Sequence, residues 1–311
     1  MTAATLPATS AAENSGETIR RIGEFLRGYS LEATRPKPAS IEALQACAPG
    51  GMRVYLSAVA GKPVDEVIGH ARMVREAGFD PVPHLAARKF ASVAALSDLL
   101  ARLRGEADVR QALVIAGDSD AAAGPFASSV EVIESGLLQR YGLTGIGIAG
   151  HPDGHARIPA ETLDLSLSNK VEAAQQSGLS VEIVTQFCFD PATIIRWITR
   201  LRDLGIEIPV RVGMAGPAGV PTLLRYAARC GVKASAAGAA RHAGLLKHLF
   251  GGSAPDAIVR ALAEAGADGR LGDIGAHFFS FGGVETTARW AAAAAAGQIL
   301  LDPKDGFAVA R

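Results

Sequence analysis

Three polar side chains stand where short apolar runs come to an end. Glu32 falls in Tyr29-Ser-Leu-Glu-Ala-Thr34 with Pro36 and Pro38 soon after, Asp118 follows Ala112-Leu-Val-Ile-Ala-Gly117, and Gln186 sits near the end of Val181-Glu-Ile-Val-Thr-Gln-Phe187. A carboxyl group in such a place can move a proton. An acid beside glycine can grip a ligand where the backbone comes close, and an amide that ends an apolar strand asks for a partner with paired donors and acceptors. Each has a plainer reading. Glu32 could pair with Arg35 or Lys37, and Asp118 could cap the next helix.

Two further patterns invite chemistry and are better explained by structure. Gly145, Gly147 and Gly150 match the spacing of a dinucleotide fingerprint, but they lie within an apolar strand and no helix opens at the last of them, so close packing is the expected role. His151 and His155 are four apart, a spacing that could hold zinc on a helix; Pro152 and Gly154 predict a loop instead, and no third ligand stands at a recognisable distance, so no metal is expected.

The elements that must position these residues are read from hydrophobic periodicity. Eight apolar runs recur: Tyr29 to Ala33, Met52 to Ala58, Pro81 to Leu85, Ala112 to Ala116, Leu143 to Ala149, Val181 to Phe187, Ile208 to Met214 and Ala276 to Phe281. Helix-period segments separate them, the pattern of repeated βα units. Eight such units close into a (β/α)8 TIM barrel, in which chemistry is built at the C-terminal ends of the strands. There Glu32, Ser57, His84, Asp118, His151, Gln186 and Ser280 would share one mouth. Val64, Val67, Ile68, Ala71 and Val74 predict an outer helix ending near Gly78. Asp190 with Pro191 predicts a helix start, with Ile194, Ile195, Ile198 and Leu201 facing inward. Segments from Arg241 to Phe250 and from Ala254 to Ala265 predict extra helices between strands 7 and 8, and the alanine run after Trp290 predicts the closing helix.

Composition narrows the partners. The 311 residues hold 31 basic and 31 acidic side chains, so no overall field would gather nucleic acid or an anionic membrane, and a small-molecule substrate is expected. Cys47, Cys188 and Cys230 are odd in number and far apart, which fits reduced thiols in a cytoplasmic protein. Residues 1–16 lack a basic start and an apolar core, and are expected to be a disordered tail ahead of one barrel domain over 17–311. No uncharged stretch is long enough to span a bilayer. Oligomeric state stays open.

Read in order, Ser30-Leu-Glu32, Pro83-His84-Leu85, Ala116-Gly117-Asp118, Gly150-His-Pro-Asp-Gly-His155, Asn169-Lys170-Val171, Thr185-Gln186-Phe187-Cys-Phe-Asp190 and His277-Phe278-Phe279 resemble the methylenetetrahydrofolate reductase family over about residues 28 to 297. The resemblance implies a flavin-bearing barrel. It would interconvert 5,10-methylenetetrahydrofolate and 5-methyltetrahydrofolate by hydride transfer through FAD, with NADH or NADPH as co-substrate. It further implies that Glu32 is the general acid, with a pKa raised by burial, that Asp118 meets the pterin and flavin, and that Gln186 reads pterin and nicotinamide in turn. Ser57, His84, Gly117, His151, His155 and Lys170 fall where the family contacts FAD, and Val220 and Phe281 where it lines the substrate.

The departures matter as much. Ala116 stands where the family has Arg, and Asn169 replaces the first of a basic pair; each lost charge-assisted phosphate bond is worth about 1.5 to 3 kcal/mol. Val220 replaces an aromatic ring. These changes imply a divergent branch that holds FAD weakly, works without flavin as a folate C1 reductase or oxidase, or runs in the oxidative direction. A non-catalytic folate-binding barrel is the remaining alternative.

Overall fold

Residues 8–57, 63–232 and 254–310 are described in a computed structural model. Eight parallel strands form a closed barrel in sequence order: β1 (Ser30–Ala33), β2 (Arg53–Leu56), β3 (Asp80–Ala86), β4 (Gln111–Ile115), β5 (Gly145–Gly150), β6 (Ser180–Thr185), β7 (Val210–Ala215) and β8 (Ile274–Phe279). Each coincides with one of the eight apolar runs to within a few residues. The seam closes by pairing β1 with β8, Glu32 opposite Phe279.

Eleven helices are present among the described residues. They are α1 (Ala8–Leu26), α2 (Pro38–Gln45), α3 (Val64–Glu76), α4 (Val93–Ala107), α5 (Ser129–Glu134), α6 (Leu137–Arg140), α7 (Ala160–Gln176), α8 (Pro191–Asp203), α9 (Val220–Arg229), α10 (Asp256–Ala265) and α11 (Val284–Ala295). α8 starts as its sequence dictates, with the Asp190 carboxylate accepting from Ala192 N–H at 3.1 Å and Pro191 in the first turn. Its buried stripe is Ile194, Ile198 and Leu201. On α3 the buried set is Ile68, Ala71 and Val74, whereas Val64, expected on that stripe, is exposed because it opens the helix. α9 and α10 are extra helices between β7 and β8; the segment expected from Arg241 to Phe250 lies outside the described residues.

Two features differ from the sequence reading. The helix α1 begins at Ala8, inside the stretch expected as a tail, because Ile22, Phe25 and Leu26 give it an apolar stripe buried against the barrel wall. A two-stranded antiparallel hairpin, β9 (Ile299–Leu301) with β10 (Phe307–Val309), follows α11 and lays Phe307 flat against Trp290, ring centroids 5.7 Å apart.

The glycines of β5 pack closely, as their context predicted. A Cβ on Gly147 would meet Leu113 inside the barrel at 2.9 Å, and one on Gly150 would meet the ring of Trp197 at 2.7 Å. Interior space is filled by Tyr55, Val82, Leu113 and Val184. Toward the N-terminal end of the strands sits a charge cluster. Glu182 on β6 accepts from Tyr55 Oη at 2.6 Å and from Arg211 Nε at 2.9 Å, and it also pairs with Arg53; Arg211 continues to Asp273 at 2.8 Å. Burial alone would push the Glu182 carboxyl up, yet the hydrogen bonds and charge of Arg53, with Tyr55 and Arg211, hold it below its ordinary value.

Removing that carboxylate would leave the Arg53 guanidinium without its acceptor and take from Arg211 one of its two carboxylate partners. Glu182→Gln is expected to cost about 3 kcal/mol in urea unfolding at pH 7. Since the folded group titrates below its ordinary 4.5, the cluster's contribution is present above that pH and lost on acidification, so the gap between wild type and variant should close as pH falls below 4.5.

Candidate active site at the C-terminal mouth

Because all eight strands run the same way, their C-terminal ends share one rim, and the inward-facing residues there form the site. Glu32, next to last in β1, points into it and is nearly buried, with 12% of its side chain exposed. Ser57, just past β2, donates to Glu32 Oε1 at 2.5 Å and is 2.8 Å from Thr34 Oγ1. His84 on β3 and His277 on β8 each bring Nε2 to 3.6 Å from Glu32 Oε2. Neither nitrogen has a hydrogen-bond partner among the described residues. Behind them, His277 Nδ1 is hydrogen-bonded to Ser30 Oγ at 2.9 Å, and the ring of Tyr55 packs edge-on against His277 at 4.6 Å. Ser280 Oγ donates to the Glu32 backbone carbonyl and fixes the strand end. The ion pair with Arg35 or Lys37 does not form; Arg35 turns outward to Glu66 at 2.8 Å.

The electrostatics of this carboxyl differ from the expectation. Burial on its own raises its pKa, but the charge of His84, His277 and the Ser57 hydroxyl together outweigh burial, and Glu32 lies below the usual carboxylate value. The raised pKa implied by the family resemblance is therefore corrected: Glu32 rests ionised. His84 moves down as well, chiefly through burial, with Glu32 opposing. A carboxylate between two imidazoles with free nitrogens is a proton acceptor with two stations behind it.

Asp118 lies at the same rim, three residues beyond β4, and is exposed. It caps no helix: the next, α5, is capped by the box of Ser128 and Glu131. Gly117 holds φ at +93°, and a Cβ there would press on Ala86 at 3.2 Å, so the turn lies close against the end of β3. Gln186 is half-buried just past β6; its side-chain oxygen accepts from Phe187 N–H at 3.1 Å, and its NH2 has no partner among the described residues. Phe281, half-buried, stacks on Phe279 with centroids 5.5 Å apart. Val220 opens α9.

The loop after β5 carries the two histidines in a turn, with rings edge-on at 5.6 Å, and His155 Nδ1 accepts from Arg157 N–H at 3.2 Å. Burial, then Lys170 and His155, pull His151 down to about 4, so it is neutral at pH 7. Lys170 lies on α7, buried, and donates to the Ala149 carbonyl at 2.7 Å; burial lowers it to about 8. Asn169, its neighbour, is exposed. His277, Ser30, Tyr55 and Phe279 were not singled out from the sequence as site residues. The alternation of β8 could have found His277 and Phe279, since both share the inward face with period two.

The sequence profile of the methylenetetrahydrofolate reductase family matches residues 30–240, well over half of the chain, and spans Glu32, His84, Asp118 and Gln186. This chain belongs to the methylenetetrahydrofolate reductase family. Among solved structures, the chain is similar to a D-hydantoinase, 11% identical over 57% of this chain and 41% of that one with a TM-score of 0.35. It is also similar to a dihydropyrimidinase from Brevibacillus agri NCHU1002, 10% identical over 60% of this chain and 45% of that one with a TM-score of 0.38. The chain thus spans less than half the length of either. Among the described residues no helix is long and apolar enough to cross a membrane.

Gly117 tests the turn that carries Asp118. Gly117→Ala forces a side chain into left-handed backbone against Ala86 and should destabilise the fold by at least about 1 kcal/mol in urea unfolding. An unchanged midpoint would mean the turn relaxes freely.

Proposed function

We propose that this reductase-family barrel interconverts 5-methyltetrahydrofolate and 5,10-methylenetetrahydrofolate by hydride transfer through FAD with NADH or NADPH, and that Glu32 is its proton-transfer group. The observation that carries the reading is the ionised Glu32 carboxylate, held by Ser57 and flanked by His84 and His277, at the rim that also holds Asp118 and Gln186.

In the oxidative direction the methyl carbon gives up a hydride, the resulting iminium closes to the imidazolidine ring, and the ring nitrogen that attacks it releases a proton. Glu32 is ready to take that proton, and the open nitrogens of His84 and His277 can pass it on. In the reductive direction the same group must first be protonated and then drives ring opening. An ionised resting state has its proton acceptor ready for methyl oxidation, whereas reduction starts from the protonated form. Asp118, as a carboxylate, can accept paired N–H bonds from the pterin. The unpartnered NH2 of Gln186 offers a donor to a ring carbonyl or nitrogen.

The residues present fit a flavin. The buried unpartnered Nε2 of His84 suits a ring system with donors and acceptors along its edge. Asp118, Ser57, His151 and His155 border the same mouth, and the Lys170 ammonium, buried against the Ala149 carbonyl, would lend positive charge from behind the end of β5. When bound, FAD relays the hydride between nicotinamide and the folate carbon. The hold on its phosphates is weak by design of this mouth: His151 is neutral at pH 7, Ala116 and Asn169 carry no charge, and Lys170 loses its proton early.

Two experiments test the reading. Glu32→Gln should lower kcat for 5-methyltetrahydrofolate oxidation by about 10²- to 10⁴-fold while leaving flavin reduction by the nicotinamide intact in stopped-flow traces. Equal turnover in the variant would remove Glu32 from proton transfer. FAD titrations followed by fluorescence should weaken as pH rises through about 8, where Lys170 becomes neutral, whereas an ordinary lysine would keep its charge two units further; Lys170→Gln should flatten that dependence.

A further inference from the structure

Tyr55 links the buried charge cluster to the proton site. Its side chain is 1% exposed and wedged among Val82, Leu113 and Val184, so it has no surface to offer a ligand in the mouth. At its lower end the hydroxyl donates to Glu182 Oε1 at 2.6 Å, and the same carboxylate is held by Arg53 and Arg211. At its upper end the ring meets two imidazoles edge-on, His277 with centroids 4.6 Å apart and His84 at 6.3 Å. Both of those histidines stand just outside hydrogen-bond length of the reacting carboxylate: each Nε2 is 3.6 Å from Glu32 Oε2. A proton crosses when donor and acceptor come to about 2.6–3.2 Å, so a displacement of less than about 1 Å decides whether it can pass. His277 is supported by Ser30 at Nδ1 and by the rings of Tyr55 and Phe279. Of these supports, Tyr55 is the one tied to fixed charge.

We infer that Tyr55 is a positioning residue for proton transfer, tethered through its hydroxyl to Glu182 so that its ring holds His277 and His84 at the separation from which Glu32 can hand them a proton. The inference rests on the role proposed above for Glu32, and it gives the cluster beneath the site a part in that step. The energetics of the cluster support it. Charged groups buried together in a barrel interior gain little over apolar side chains of the same volume, because desolvation offsets their attraction. What they do supply is a permanent acceptor at a fixed place. Two guanidinium groups keep Glu182 ionised, and a hydroxyl bound to an ionised carboxylate makes a short, charge-assisted bond. A phenylalanine at position 55 would fill nearly the same space, whereas a phenol packs on the imidazoles with its ring and is pinned at its far end.

The test uses the full chain carrying Tyr55→Phe, which keeps the ring and removes the tether, or Tyr55→Leu, which removes both. Tyr55→Phe leaves Glu182 with both guanidinium partners, so it should fold as the wild type does. In a crystal structure of Tyr55→Leu, the separation of His277 Nε2 from Glu32 Oε2 should change by about 0.5 Å or more, the tolerance of a productive constellation. Single-turnover oxidation of 5-methyltetrahydrofolate should slow by about 3- to 10-fold in Tyr55→Phe and about 10- to 100-fold in Tyr55→Leu, with the Kd for the folate unchanged. In a Glu32→Gln background neither change should slow the reaction further, since the step they serve is already lost. If both variants keep the native separations, or slow turnover as much without Glu32 as with it, Tyr55 is structural and the inference is overturned. A native rate in Tyr55→Phe beside a slow Tyr55→Leu would overturn the tether to Glu182. If Glu32→Gln alone costs nothing, or the wild type turns over no folate, the reading of Glu32 falls first and this inference falls with it.

Discussion

The barrel closes where β1 meets β8, and the site exists only because that seam is made. Its inner face is sealed by a hydrogen bond between Ser30 and His277, residues 247 apart in the chain. One step further along the same pair of strands, Glu32 stands opposite Phe279, and Ser280 donates to the Glu32 carbonyl. The seam therefore sets the height of the carboxylate, the rotation of the imidazole beside it and the place of the Phe279 ring. A slip of one residue would turn Glu32 into the outer apolar layer, where Leu31 and Ala33 now pack.

Two buried carboxylates occupy the barrel interior, and their neighbours give them different roles. Glu182 is surrounded by Arg53 and Arg211, cations that never release a proton in the working range, so its charge is permanent and serves to tie β2, β6 and β7 together. Glu32 is surrounded by a hydroxyl and two imidazoles, groups that can accept a proton and hand it on. Both are pulled below the ordinary carboxylate value against the penalty of burial, yet only the upper one sits among partners that can carry a proton away. Tyr55 joins the two layers: its hydroxyl donates to Glu182 while its ring supports His277.

Charge beside the end of β5 follows the same logic of exposure. Lys170 follows directly on the exposed Asn169, but the helix turns its side chain inward, where it meets the Ala149 carbonyl and loses basicity. Residue type alone would give the mouth a full lysine charge and two titratable histidines. Packing leaves a lysine near its titration point and a neutral His151, so little fixed positive charge remains on this side of the mouth.

Much of this was legible in the chain. Strand periodicity located all eight strands, and parallel closure then obliged Glu32, Asp118 and Gln186 to lie at one rim, because the C-terminal ends of parallel strands in a closed barrel share one side. Helix starts such as Asp190-Pro191 were equally local, depending on a side-chain acceptor and a fixed φ. What could not be read was anything set by neighbours distant in sequence. The pKa of Glu32 went the opposite way from expectation because its partners arrive from β2, β3 and β8, and electrostatic energy depends on distances of a few ångströms that no spacing along the chain encodes. The helix over Ala8–Leu26 was missed for a related reason: its opening residues carry little helical signal of their own, while its later turns gain burial against the barrel. Local sequence determined which side chains could do chemistry and which face they would occupy; the closed barrel alone decided which protons they hold, since burial and charge are properties of the assembled neighbourhood.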